Sequence, residues 1–254
     1  MATTHHSIDM YPIHRVPATR PFIWLAEGWD GLMHHKAASL AYGALVALIG
    51  SLILAYSGHP LYIGASVAAF LVVGPVITSG LCELSRRRDH GETGSFVGSL
   101  DAVRRNYVEL LRLAAVLVFT ALICFNLAAI YLYSTTGTAV PAFASFLWGD
   151  ILAQLSSVHV AAYLLAFLLI STVVFLLSVV SVPMIIDRHV SAETAMRISL
   201  RAALRDIPAM LVWAGLIICL VVFGFGTRLW GMVIVLPLLG HATWYAYRDM
   251  VDEA

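Results

Sequence analysis

The sequence predicts an all-α membrane protein: six transmembrane helices paired as three hairpins, each preceded by an amphipathic interfacial helix in a pseudo-threefold repeat. Three observations carry that prediction. Of 254 residues, 60% are hydrophobic and 12% charged, with a mean hydropathy of +0.87. Soluble domains carry about 25% charged residues, so a chain this poor in charge needs a solvent other than water. Six apolar segments reach the length of about 20 residues that crosses roughly 30 Å of hydrocarbon. Finally, fourteen of the fifteen Lys and Arg residues fall on one side of that ladder, with Arg228 as the exception. Cytoplasmic loops retain positive charge during insertion, so this asymmetry also orients the chain.

Taken in order, residues 1–21 read as a flexible cytoplasmic tail, polar and interrupted by Pro12, Pro17 and Pro21. The first apolar run begins near Ala37, too late for a cleavable signal. Residues 22–248 form the six-span domain and 249–254 a cytoplasmic C-terminus. The spans fall at about 38–56, 61–83, 109–133, 160–186, 208–226 and 229–247. Ser57-Gly58-His59-Pro60 joins the first pair and Gly224-Phe225-Gly226-Thr227-Arg228 the last, and links this short force antiparallel neighbours. Arg86-Arg87-Arg88, Arg104, Arg105, Arg197, Arg201 and Arg205 are then cytoplasmic, as are both termini. The loop 134–158, whose one charge is Asp150, is extracytoplasmic and holds a short interfacial helix with Trp148 at headgroup depth.

Before each hairpin lies an amphipathic stretch. Phe22, Ala26, Trp29 and Leu32 share a face in the first, and Phe96, Leu100, Val103 and Tyr107 in the second. In the third, Met196, Leu200 and Leu204 lie opposite Arg197, Arg201 and Arg205. Such helices lie in the membrane plane with Arg reaching lipid phosphates. Ser99-Leu100-Asp101-Ala102 with Arg105-Asn106 aligns without a gap to Ser199-Leu200-Arg201-Ala202 with Arg205-Asp206. The second span of every hairpin also holds one interior proline: Pro75, Pro183 and Pro237.

Each proline bends its helix and deprives the carbonyl four residues earlier, that of Leu71, Val179 or Val233, of its partner. In lipid these carbonyls must face other helices or a cavity. One turn later come Ser79, Asp187 and His241, with Glu83 a further turn beyond Ser79. Around a threefold axis these four side chains converge into a candidate intramembrane polar cluster, with His241 facing Asp187. The structural alternative places His241 in an aromatic belt with Trp244, Tyr245 and Tyr247, and makes Asp187-Arg188 a span end. Asn126 reads as an interhelical hydrogen bond, and His59 with His159 as isolated histidines.

Cys82, Cys124 and Cys219 lie in separate apolar runs without metal spacing and read as buried packing thiols. There is no Walker loop, HExxH, GxSxG or CxxCH, so no catalytic class, no catalytic or cofactor-binding residue, and no haem or metal is expected. A formal net charge of zero gives no reason to expect nucleic acid. The expected partners are the lipid bilayer and other membrane proteins.

Leu40-Ala41-Tyr42-Gly43, Val73-Gly74-Pro75, Gly80-Leu81-Cys82-Glu83-Leu84-Ser85-Arg86-Arg87, Asp187-Arg188 and the run from Leu236 to Trp244 resemble a bacterial integral-membrane family, domain of unknown function 2189. The resemblance covers roughly residues 20–248, and the family carries Tyr where this chain has Cys82. It implies the bacterial cytoplasmic (inner) membrane. Some members are named as cytochrome c oxidase subunits, which implies an accessory place in a respiratory complex. A haem–copper catalytic subunit needs about twelve spans and six intramembrane histidines, and here only His241 lies within a span. The leading expectation is a non-enzymatic scaffold or accessory subunit. Its competitor is a small-solute or proton transporter or channel with a path past Ser79, Asp187 and His241.

Overall fold

The computed structural model describes residues 11–55, 60–136 and 157–251. The expected turn at Ser57–Pro60, with His59, and the loop segment holding Trp148 and Asp150 lie outside the described residues, as do the side chains of Cys124, Asn126 and His159. Among the described residues every regular element is a helix. In chain order these are α1 (Arg20–His34), α2 (Lys36–Ala55), α3 (Pro60–Asp89), α4 (Phe96–Thr136), α5 (Ser157–Ser178), α6 (Ser181–Arg188), α7 (Ala192–Arg205), α8 (Ile207–Gly226) and α9 (Met232–Met250). Ser171–Arg188 and Ile207–Gly226 are long and apolar enough to cross a membrane. A third span arises if α1 and α2, bent by 104° at His35, act as one.

Helix boundaries follow local chemistry, and they correct two expectations. The second amphipathic stretch is not separate from its span: α4 runs unbroken from Phe96 to Thr136, because no proline or glycine interrupts Ala102 to Thr136. The span expected at 160–186 is broken at Val179–Val180, between α5 and α6. Pro183 has no N–H for the Val179 carbonyl, and its ring crowds that carbonyl, so the helix opens upstream. The gap is filled from α7. Val180 N–H donates to Ser199 Oγ at 3.3 Å, and the Ser199 hydroxyl donates to Leu176 O at 2.8 Å. An uninterrupted helix would join Val180 N–H to Leu176 O directly; here a hydroxyl is inserted in the ladder.

The amphipathic stretches turn most of their large apolar residues away from the bundle, as a helix lying in the membrane plane requires. On α1 the buried residues are Pro21, Trp24, Gly28, Gly31 and Leu32, while Phe22 and Trp29 are exposed. On α4 they include Ser99, Ala102 and Asn106, while Leu100 and Tyr107 are exposed. On α7 they include Ala195, Ile198, Ser199, Ala202 and Ala203, while Leu200 and Leu204 are exposed. In all three the protein-facing side includes small or hydroxylic residues at its closest approaches, beside a few large ones such as Trp24, Leu113 and Ile198, and many of the large apolar side chains point outward. Lipid explains the arrangement: it solvates Leu as well as a core does, so contacts between helices select small residues that let backbones approach.

The α1 helix packs on α9, α2 on α9, α4 on α3, and α7 on α5 and α6. The approach of α2 to α9 is the tightest. A Cβ added at Gly43 would lie 2.1 Å from the Val233 carbonyl oxygen, the one that Pro237 frees. Glycine thus lets α2 cover that oxygen. Trp24 of α1 meets Trp213 of α8 edge to face at 5.7 Å. Residues assigned from sequence to the leading tail lie against the end of α9: Ile13 forms a β-bridge with Val251, and His14 N–H donates to Met250 O at 3.1 Å.

Candidate functional site

His241 sits on α9 with no exposed surface, and both ring nitrogens are occupied. Nε2 lies 2.8 Å from Ser39 Oγ on α2, and Nδ1 lies 2.7 Å from Ser85 Oγ on α3. A neutral imidazole donates at one nitrogen and accepts at the other, so two hydroxyls satisfy it completely. Gly31 of α1 provides the room: a Cβ there would meet His241 Nδ1 at 3.3 Å. One imidazole therefore links three helices under a fourth. His35, at the α1–α2 bend, is also buried, and its Nε2 has no hydrogen-bond partner among the described residues.

The expected cluster does not form one site. Asp187, at the end of α6, accepts from the Tyr247 hydroxyl at 2.7 Å and lies 3.2 Å from Arg188 Nε, whereas His241 bonds the two serines. Tyr247 lies nearly two turns beyond His241 on α9, so that helix serves both polar contacts at different levels. Glu83 is buried at the end of α3 and accepts from Arg86 Nε and Nη2 at 2.7 and 3.0 Å and from Arg87 Nε at 2.8 Å. Arg105 of α4 approaches it to 3.7 Å, and Arg87 Nη2 donates to Gly98 O at 3.1 Å, so the acid fastens α3 to the start of α4. The Glu83 hydrogen bond holds the Arg86 guanidinium above its ordinary pKa. Ser79 is fully buried in α3. Pro75 and Pro237 lie inside continuous helices, and Pro183 inside α6 just past the break.

Several polar residues that join helices carry no sequence signal of their own: Ser39, Ser85, Asp89, Tyr247 and Asp249. Trp244 Nε1 donates to Asp89 at 2.8 Å, and Trp24 Nε1 to Asp249 at 2.6 Å, the latter also bonded by Arg20. A tryptophan near a helix end signals an indole N–H in need of an acceptor, but it does not say which acid supplies it. Of the thiols, Cys82 is buried as expected, but Cys219 is exposed on the outer side of α8, where lipid accommodates a small apolar group. Among the described residues no group of three His, Cys, Asp or Glu stands close enough to hold a metal ion.

Apolar helices of spanning length with outward-facing leucines and glycine-mediated helix contacts define an α-helical integral membrane protein. Residues 63–187, just under half of the chain, match the family described as "Predicted integral membrane protein (DUF2189)", and over that stretch the chain is similar to it. No curated protein and no solved structure matches the chain.

Proposed function

We propose that the protein is a non-enzymatic scaffold or accessory subunit of a membrane complex. The observation that carries this is His241, an ionisable side chain with no exposed surface, whose nitrogens are both taken by serines. A proton or solute carrier needs a group that can exchange its partner; this one is spent on joining α2, α3 and α9. The outer surface, by contrast, is broadly apolar and available to lipid or to another subunit. The family naming in the resemblance points to respiratory complexes as the partner class.

The architecture that goes with this reading is six spans in the bacterial inner membrane, with both termini cytoplasmic and three repeated units. The one-sided distribution of Lys and Arg supports the orientation. The packing supports the repeat: α4 and α7 each lie on the closing helix of the preceding unit, and α1 lies on that of the last.

Gentle purification from native membrane, with mass spectrometry of co-purifying proteins, tests the reading together with flux assays in proteoliposomes. His241→Gln should retain the co-purifying subunits and lose about 1–3 kcal/mol of stability, as expected when a buried hydrogen bond is left unmade. A pH-dependent flux through the wild type that His241→Gln abolishes would replace the scaffold with a transporter.

A further inference from the structure

We propose that the outer side of α7 is a docking strip for the headgroups of anionic phospholipids. This goes beyond the scaffold reading and rests only on the protein's place in a membrane. The helix has three sectors. Ala195, Ile198, Ser199 and Ala202 are buried against the bundle. Leu200 and Leu204 are 36% and 53% exposed. Arg197, Arg201 and Arg205, each one turn from the next, form an exposed basic edge between those two sectors. A helix lying on a protein in water needs a packed side and a polar side. A third, apolar and exposed side needs a hydrocarbon phase.

The α8 helix identifies that phase. It begins two residues after Arg205, exposes Ile207, Leu211, Ile218 and Val222 by 52%, 69%, 58% and 63%, and is long and apolar enough to span a bilayer. The exposed leucines of α7 thus adjoin the start of a lipid-facing span, which puts the arginines beside them near the depth of the phosphates. Guanidinium binds phosphate through two parallel N–H donors, and a basic edge without intervening acids favours headgroups with net negative charge. Glu193 bonds Arg197 at 2.6 Å, but both are more than half exposed, so a phosphate can compete for that guanidinium. The corresponding positions do not repeat the pattern: α1 carries Glu27 and Asp30, and Arg105 of α4 is drawn towards Glu83.

The test uses the full chain in mild detergent, offered equal amounts of phosphatidylglycerol and phosphatidylcholine, with retained lipid read by native mass spectrometry. The wild type should retain phosphatidylglycerol preferentially. Each Arg→Gln change among Arg197, Arg201 and Arg205 should lower that preference about fivefold, and the triple variant should nearly abolish it. The triple Arg→Lys variant should keep most of it, and Arg15→Gln, on the exposed N-terminal segment, should keep it all. If the triple Gln variant does not fold, Arg205→Gln alone carries the same expectation. Equal retention of both lipids by the wild type, or an undiminished preference in the Arg205→Gln or triple Gln protein, would overturn the proposal. Both outcomes are independent of which subunits co-purify.

Discussion

Ser199→Ala should be among the most damaging single-atom deletions in this protein. The hydroxyl accepts from Val180 N–H and donates to Leu176 O, and Ser199 and Val180 have no exposed surface. Removing it leaves the buried Val180 N–H and the part-buried Leu176 carbonyl unpaired, at a cost of up to about 1–3 kcal/mol each. Some of that returns if Val180 N–H and Leu176 O draw together, since one direct bond is worth about 1 kcal/mol net. Pro183 opposes full closure, because its ring keeps the Val179 carbonyl displaced. The expected loss is therefore about 2–4 kcal/mol, combining the two unpaired groups with partial closure. For a chain of this size that corresponds to roughly 5–15 °C in the melting midpoint. Size-exclusion chromatography after heating the detergent-solubilised protein measures it. Ser199→Thr keeps the hydroxyl and should lose less than half as much. A Ser199→Ala midpoint within about 2 °C of the wild type would show that the break does not depend on the inserted hydroxyl.

Two other substitutions probe the helix contacts. Gly43→Ala would set a Cβ 2.1 Å from the Val233 oxygen and 2.7 Å from its carbon, both backbone atoms that cannot rotate away. It should cost about 3 kcal/mol or more. Gly215→Ala, whose Cβ meets nothing within 4 Å, should be neutral or gain up to about 1 kcal/mol of helix propensity in the same melting assay. Asp249→Ala leaves the buried Trp24 indole N–H without its acceptor and should destabilise by about 1–3 kcal/mol, with faster proteolysis at the C-terminus. Asp249→Asn keeps an acceptor oxygen and should lose less; equal losses would assign the effect to the Arg20 ion pair instead.

The helical class and most helix limits were legible because hydropathy and length report them directly: the expected 208–226 became Ile207–Gly226, and 38–56 became Lys36–Ala55. The outward set of Phe22, Trp29, Leu100, Tyr107, Leu200 and Leu204 was legible in the amphipathic pattern, but the residues packed opposite it were not. Apolar periodicity selects the largest hydrophobic side chains, and around α1, α4 and α7 many of these point outward while Gly28, Gly31, Ser99 and Ala202 point in. That rule holds for proteins in water and reverses where the outside is itself hydrocarbon. Pro183 flagged a bend at the right place, but the hydroxyl that fills it comes from Ser199 of α7, a contact no local pattern records. Tyr247, not His241, supplies the partner of Asp187, since a spacing argument fixes the rotation of a residue about its helix but not the tilt of that helix against its neighbours.

The same few side-chain types recur wherever helices meet. Ser39 and Ser85 hold His241, Ser99 lies 2.8 Å from the Tyr42 hydroxyl, and Ser199 fills the α5–α6 break. These contacts carry a burden that apolar burial carries in soluble proteins, because moving a leucine from lipid to protein gains little. It follows that polar residues inside this bundle cannot be read as functional merely because they are buried and ionisable; His241, Glu83, Asp187 and Ser199 each have defined partners, three of them across helices. The exposed surfaces are the basic edge of α7 and the apolar flanks of α2, α4 and α8. On the scaffold reading proposed above, such a protein acts through what surrounds it, and the experiments that bear on that reading are those that recover its neighbours.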